Sequence, residues 1–278
     1  MTELSTEGAL LAYNNRALGR GQVTGTVGTW TTTPPIEHLL TEQVPIPFAQ
    51  VTPDTGVIEF DYTAHDREGD PESFDLDVCA LLAHSAADDI EYRPGLPPGA
   101  VVKFIDDETE LASIEYQPTP NRSLPPNVYA VLSESVELQT LTVRIENAGT
   151  SPIRIGGLWA SPSIRFLVDR GKPSDVNDYA RIGRVAATRW INRRTIGRAW
   201  SITASRIMEA QANGTTGQPN FAGIFEQFGE SAPMIHIHRI STQANINLTA
   251  LYGYLEGPRI QHRSGPVHRV TYNIVETR

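Results

Sequence analysis

Residues 141–162 read LTVRIENAGTSPIRIGGLWASP and carry the strongest fold signal in the chain. LTVRIE and the later IRI alternate apolar with polar side chains, which is the period-two pattern of half-buried β-strands. The intervening NAGTSP run is typical of a chain reversal, so we predict a β-hairpin that closes a sheet. The glycine pair at 156–157 predicts a bulge that bends the second strand. This bend would carry Trp159 over the base of the core as a structural residue.

Strand-like segments also fill the sequence before this stretch. GVIEFDY, SFDLDVCALLA, AVVKFID, ELASIEYQ and NVYAVLS are rich in β-branched and aromatic residues and are separated by Pro, Gly, Asn and Asp clusters. We therefore predict an all-β protein in which residues 56–162 form a β-sandwich and residues 1–55 form an extended arm leading into it. The single cysteine, Cys79, lies in the apolar VCALLA run and is expected to be a buried, unreactive thiol.

The sequence after this stretch predicts a second, barrel-like β-domain over residues 163–278. Residues 185–210 indicate a strand, a turn at 192–194 and a longer strand that buries Trp200 in a core. NFAGIFEQFG at 220–229 has apolar residues at helical spacing and predicts one short helix. Three closing strands are expected in PMIHIHRI, INLTALYGYLEG and HRVTYNIVET. We expect the two domains to fold separately, with their boundary close to residue 162.

Charge is distributed unevenly between the two predicted domains. Residues 1–162 hold 24 acidic and 8 basic side chains, whereas residues 163–278 hold 8 acidic and 15 basic ones. The asymmetry indicates either a nucleic-acid surface or subunits that associate through complementary faces. Aromatic residues do not alternate with the arginines, and the whole chain has a net charge of −9, so inter-subunit contacts are favoured over nucleic acid. The expected assembly interface consists of four arginines: Arg189, Arg193, Arg194 and Arg198.

Two segments together resemble a known family. VCALLAHSAADD at 78–89 and the stretch at 141–162 resemble the galactose-binding-like jelly roll of bacteriophage tail proteins. The order of elements in the second half resembles the ring-forming barrel of distal tail and baseplate proteins. The resemblance implies a structural virion protein, made in the host bacterial cytoplasm, that forms a homo-oligomeric ring around the tail axis. It also implies a trimer or hexamer in contact with tail tube, hub or fibre proteins.

The sequence contains none of the common catalytic or cofactor-binding motifs. Nucleophile-elbow, P-loop, dinucleotide-binding and zinc-protease signatures are absent from the sequence, so we predict a non-enzymatic protein without a cofactor. His236 and His238 stand two apart in a strand and share one face, which makes them metal-ligand candidates that lack a third partner. The acidic loop HDREGDPE at 65–72 fits either a calcium site or a solvated turn. No segment predicts a membrane span or a signal peptide.

The predicted fold leaves a second function open. A sandwich of this kind also serves as a carbohydrate-binding module in host-cell adhesion, in which Tyr92 or Tyr116 on the loops would contact a host surface glycan. A glycan-cleaving enzyme is a third alternative, because paired carboxylates can hydrolyse glycosidic bonds at a suitable separation.

Overall fold

The computed structural model describes residues 8–41, 48–86, 95–118, 127–169, 175–177, 181–185, 188–192, 197–214, 219–263 and 265–276. Most of these residues lie in β-strands, so the predicted all-β class is confirmed. The first-half strands are β1 (Ala9–Ala12), β2 (Gln22–Val27), β3 (Thr29–Trp30), β4 (Ala49–Thr52), β5 (Ile58–Thr63), β6 (Phe74–Leu82), β7 (Ser85–Ala86), β8 (Val101–Asp106), β9 (Thr109–Glu115), β10 (Val128–Leu138), β11 (Thr140–Glu146), β12 (Ile153–Ile155) and β13 (Gly157–Ser161).

The remaining strands lie in the second half, together with the α-helices. These strands are β14 (Ser163–Phe166), β15 (Asp175–Asn177), β16 (Arg181–Val185), β17 (Thr188–Asn192), β18 (Gly197–Met208), β19 (Pro233–Ile237), β20 (Ala250–His262) and β21 (Val267–Glu276). The α-helices are α1 (Glu209–Ala212), α2 (Phe221–Gln227) and α3 (Gln243–Thr249), and a 3₁₀ turn spans Ile36–Leu40. No helix of the described residues is long and apolar enough to cross a membrane.

The sandwich is built from antiparallel sheets around one apolar core. A five-stranded sheet has the order β2-β5-β11-β8-β9, a three-stranded sheet has the order β10-β6-β13, and a short sheet has the order β3-β4-β12-β7. Alternate residues of β5 and β11 are buried, which is the pattern that the sequence predicted for LTVRIE. Their apolar side chains pack between the five-stranded and three-stranded sheets.

The predicted hairpin within residues 141–155 is wrong. β11 pairs with β5 and β8, β12 pairs with β4 and β7, and β13 pairs with β6, so the three consecutive strands lie in three different sheets. Asn147 and Gly149 have φ values of 55° and 78°, in the left-handed region. The turn that they form carries the chain from one sheet to another instead of reversing it within one sheet.

The three-stranded sheet is buried on both faces. In β6, Cys79 and Leu81 face the sandwich core, whereas Val78, Ala80 and Leu82 face the other way. A strand covered on both sides has no polar face, which explains the unbroken apolar run VCALL. This sheet is therefore a middle layer, and β13 belongs to it.

The second half forms a seven-stranded sheet in the order β14-β1-β19-β20-β21-β18-β15. The backbone N–H of Asp169, just after β14, donates to the Thr203 carbonyl of β18 at 2.9 Å. This bond links the β14 end of the sheet to β18 near its other end, which is the arrangement expected of a barrel-like sheet. β1 lies between β14 and β19, so the predicted arm over residues 1–55 supplies one strand to the barrel and later strands to the sandwich.

Three α-helices accompany the barrel in the described part of the second half, where the sequence predicted one. The predicted helix over 220–229 is α2, and Asn220 caps it by accepting a hydrogen bond from the Gly223 N–H. α3 occupies the start of INLTALYGYLEG, which the sequence predicted as strand. Thr242 caps α3 by accepting from the Asn245 N–H at 3.2 Å, and this local bond favours a helix despite the β-branched residues that follow. α1 is a single turn after β18.

An interlayer cluster of apolar side chains joins the middle sheet to the barrel. Its members are Leu10, Ala12, Val78, Ala80, Leu82, Tyr129, Trp159, Ile235, Ile237, Ile246, Ala250 and Tyr252. Tyr129 and Trp159 flank the small Ala80 in register across the three strands of the middle sheet. The Trp159 ring is fully buried and meets Tyr252 of the barrel edge to face, with centroids 5.8 Å apart. Trp159 thus packs between sandwich and barrel, not over the base of the sandwich core as predicted.

Asn15 reinforces this junction from the segment that follows β1. Its side-chain Oδ1 accepts from the Ala160 N–H at 2.9 Å, and its Nδ2 donates to the Leu158 carbonyl at 3.1 Å. The carboxamide therefore bonds to the outer edge of β13 as a strand residue would. One short segment thus pairs with the barrel through β1 and with the middle sheet through Asn15.

Trp159→Ala should lower the free energy of unfolding by about 3–5 kcal/mol, because it opens a cavity at the centre of the interlayer cluster. Denaturant titration of the full chain measures this change. Trp159→Phe retains much of the ring and should lose less. Trp30→Ala is the matched control, since Trp30 lies outside this cluster and is only half-buried. A Trp159→Ala chain with an unchanged denaturation midpoint would contradict the structural role.

Candidate functional site

The end of β6 places a histidine inside the sandwich. The chain turns at Ala83, whose φ is 53° and whose N–H donates to Asn127 Oδ1 at 2.8 Å. The next residue, His84, is fully buried. Its Nδ1 accepts from the Leu96 N–H at 3.3 Å, and its ring meets Tyr116 edge to face with centroids 4.7 Å apart.

His84 is held as a neutral ring with one unused donor. Burial lowers the pKa of His84 to about 3. Because Nδ1 accepts a hydrogen bond, the proton of the neutral ring resides on Nε2. Nε2 is buried and has no hydrogen-bond partner among the described residues. The sequence did not single out His84 as a site residue; only its place beside the apolar VCALLA run hinted at its burial.

The two tyrosines that the sequence offered for glycan contact have different outcomes. Tyr116 is only 4% exposed and packs against His84, so its ring offers no open stacking face. Tyr92 lies outside the described residues. The proposed contact through Tyr116 is therefore wrong, because the residue that follows β9 turns into the core.

A second buried histidine lies inside the barrel. His236 of β19 is fully buried, and its Nδ1 is 2.9 Å from the hydroxyl of Tyr272. Burial, followed by the proximity of His238, lowers the pKa of His236 to about 3. Trp200, predicted as a core residue, is 6% exposed in the same core and meets the His236 ring edge to face. Desolvation in this core therefore favours the neutral imidazole.

The structure brings the two predicted metal-ligand candidates together without completing a site. The rings of His236 and His238 have centroids 5.8 Å apart. No group of three histidine, cysteine or acidic side chains suitable for a metal occurs among the described residues. Zinc sites ordinarily need at least three protein ligands. The pair on its own is therefore an aromatic contact at the end of β19.

Two of the four arginines of the predicted interface lie among the described residues, on β17 and at the start of β18. Arg189 belongs to β17, and its register partner in β16 is Arg184. Arg198 belongs to β18, where its backbone partner is Val176 of β15. Arg193 and Arg194 lie outside the described residues. The backbone alone thus places two arginines opposite each other in a two-stranded ladder.

The acidic loop at 65–72 uses its first carboxylate internally. Asp66 Oδ1 accepts from the backbone N–H groups of Glu68, Gly69 and Asp70 at 2.8–2.9 Å. These bonds lower the pKa of the Asp66 carboxyl. One of the two Asp66 carboxylate oxygens is therefore engaged in closing the turn. Of the two alternatives left open by the sequence, this geometry favours the solvated turn.

A polar contact that the sequence did not identify joins α1 to the β20–β21 hairpin. The Nε2 atom of buried His268 contacts Glu209 Oε2, and the His262 ring lies opposite His268 with centroids 5.1 Å apart. A hydrogen bond from Asn213, and then the His268 contact, lower the pKa of the Glu209 carboxyl. The sequence contained both histidines but no signal for Glu209, because the pairing depends on the barrel register.

This chain is similar to few known proteins, and at low sequence identity. No protein-family model matches it, and no curated protein matches it. Among solved structures, it is similar to a fucose binding module of Streptococcus pneumoniae, with a TM-score of 0.38, 8% identity and coverage of 54% of this chain and 98% of that one. It is also similar to a mutant lectin binding domain of Lectinolysin complexed with Lewis b, with a TM-score of 0.39, 9% identity and coverage of 54% and 97%.

Acidification should destabilise the fold through the two buried histidines. Both pKa values are lowered to about 3, so between that pH and about 6.5 the unfolded chain binds protons that the folded chain does not. Stability should be constant above this window and fall as the pH drops through it, by about 2 kcal/mol for each histidine between pH ~7 and pH ~5.

Denaturant titrations across this pH range measure the loss. His84→Gln and His236→Gln should each flatten the pH dependence, whatever their effect on stability at neutral pH. His262→Gln is the matched control, because the His262 ring is exposed. An unchanged pH dependence in both core variants would contradict the assignment.

Proposed function

We propose that this chain is a non-catalytic structural subunit of a bacteriophage tail tip or baseplate, and that it assembles with copies of itself into a ring around the tail axis. The proposal begins with the resemblance of residues 78–89 and 141–162 to phage tail jelly rolls. The interlayer cluster is the structural observation that carries it. This cluster attaches the sandwich to the barrel across a continuous apolar layer.

This attachment suits a structural subunit that must hold its sandwich and its barrel at a fixed distance from each other. Binding modules that work independently are commonly joined to their neighbours by exposed linkers with few crossing contacts. Here β1 pairs with β14 and β19, Asn15 bonds to β13, and Gln243 of α3 donates to the Tyr129 carbonyl of β10 at 2.8 Å. Sandwich and barrel are thus held together at several points. This supports a structural role, in which the two parts keep a fixed relative position within an assembly.

The charge distribution supports association through the barrel half. Residues 163–278 hold 15 basic and 8 acidic side chains, and the backbone register of the β16–β17 ladder pairs Arg184 with Arg189. Carboxylates on a neighbouring subunit would balance this excess of positive charge. Arginine suits such contacts, since its guanidinium binds carboxylates in a bidentate manner.

The buried titratable groups support the non-catalytic part of the proposal. His84 and His236 are fully enclosed and neutral, so neither can exchange a proton with a substrate that arrives from solvent. The Asp66 carboxylate is engaged by its own loop. Buried neutral rings and a carboxylate engaged in its own loop do not supply the acid–base pairing that hydrolysis requires.

Native mass spectrometry and analytical ultracentrifugation of the full chain test the assembly. We expect a defined oligomer, and we expect Arg193→Glu/Arg194→Glu to weaken it, more strongly at low salt because salt screens the wild-type attraction. Arg67→Glu/Arg239→Glu reverses the same charge at two exposed positions and serves as the control. A wild-type chain that stays monomeric at every protein concentration would overturn the proposal.

Glycan binding during host adhesion is a second candidate function, which the sequence left open for a sandwich of this kind. Because His84 is fully buried, a glycan would bind to the exposed loops of the sandwich and not to the His84 ring. A glycan-array screen of the full chain tests this candidate. Selective binding to one class of glycan would favour it, and binding to none of the arrayed glycans would remove it.

A further inference from the structure

β20 has one edge that remains open beyond β19. It pairs with β21 along residues 253–262, but with β19 only along residues 250–254. We call residues 256–263 the basic edge; apart from the half-buried Pro258 and Ile260, they are exposed. An open strand edge presents backbone donors and acceptors to any chain that approaches it.

The first part of this edge is already blocked. The N–H of Gly257 donates to Glu230 Oε1 at 2.6 Å, and Pro258 has no N–H to offer. A bulge between Glu256 and Arg259 also interrupts the regular register. The accessible part of the edge is therefore the short run from Arg259 onward.

This accessible part is positively charged and has no acidic partner within the described parts of the chain. Arg259 and Arg263 are exposed, and no ion pair among the described residues involves either of them. His262 lies between them, and Arg269 is the register partner of Gln261 on β21. The edge thus combines open backbone groups with two guanidinium groups that pair with no carboxylate among the described residues.

A complementary surface lies at the turn between β8 and β9. Asp107 and Glu108 form this exposed turn, and β9 is the last strand of the five-stranded sheet. The nearby Lys103 is engaged by Glu146 at 3.0 Å and Glu110 at 3.6 Å. No ion pair within the described parts of the chain reaches Asp107 or Glu108. The turn therefore presents carboxylates available to a cationic partner.

We infer that the basic edge of one copy docks on the acidic β8–β9 turn of the next copy. Within one subunit these two surfaces belong to the two outer sheets, which the middle sheet separates. A contact between them would therefore join two copies of the chain. A contact between two different surfaces is heterologous, and repetition of such a contact closes a ring when the rotation permits. The inference rests on the proposed self-assembly and adds a second charged contact to the one expected at Arg193 and Arg194.

Charge reversal on the full chain tests this interface. Arg259→Glu/Arg263→Glu should weaken self-association about tenfold or more at low salt (about 0.05 M), measured by sedimentation. Glu108→Arg/Thr109→Arg, which removes one carboxylate from the turn and adds two guanidinium groups, should weaken it similarly. A chain carrying all four changes restores opposite charges on the two surfaces and should regain association. Arg67→Glu/Arg239→Glu is the charge-matched control, and thermal melting verifies that each variant is folded.

Each outcome decides between the inference and its alternatives. If Arg259→Glu/Arg263→Glu associates as the wild type does, the interface is wrong and the proposed ring stands. If the fourfold variant fails to recover although it melts like the wild type, the pairing of these two surfaces is wrong. Loss of single-stranded oligonucleotide retention with unchanged association would assign the basic edge to nucleic acid. A wild type that never associates would overturn the inference and the proposed function together.

Discussion

Packing on both faces of one three-stranded sheet is the constraint on which the rest of the molecule depends. β6 has apolar side chains on both sides, so each face must be covered by another sheet. The five-stranded sheet covers one face and the barrel covers the other. Ala80 is small enough to allow Tyr129 and Trp159 to lie on either side of it and reach the barrel together. Removing either cover would expose a continuous apolar surface to water.

The polar groups of the molecule follow from this layered packing. His84 lies where β6 leaves the middle layer, and His236 lies where β19 passes beneath the aromatic interior of the barrel. Both are enclosed by elements distant in sequence, and this enclosure sets their protonation. Surfaces that remain outside the layers, such as the basic edge and the acidic β8–β9 turn, keep their charges available for neighbours. Enclosed groups thus serve stability, and peripheral groups serve recognition.

Local sequence pattern predicted the secondary structure better than the pairing. Alternation in LTVRIE and helical spacing in NFAGIFEQFG correspond to β11 and α2, because each reports which side of an element is buried. The same pattern does not report which sheet covers that side, so β11, β12 and β13 were expected in one sheet. For the candidate site, the burial of Trp200 follows from its strand pattern. The contacts of His84 with Leu96 and of His268 with Glu209 depend on long-range register, which no local pattern encodes.

The position of β1 has a consequence for how the chain reaches its native state. This strand is made early, yet both of its neighbours, β14 and β19, are made much later. Contacts between residues so far apart in sequence raise the contact order and slow folding. The sandwich strands can pair during synthesis, whereas the barrel must wait until the last third of the chain has emerged. Until then the apolar residues of β1 and of the outer face of the middle sheet are exposed to solvent. The incomplete chain is therefore most prone to aggregation before the barrel has formed.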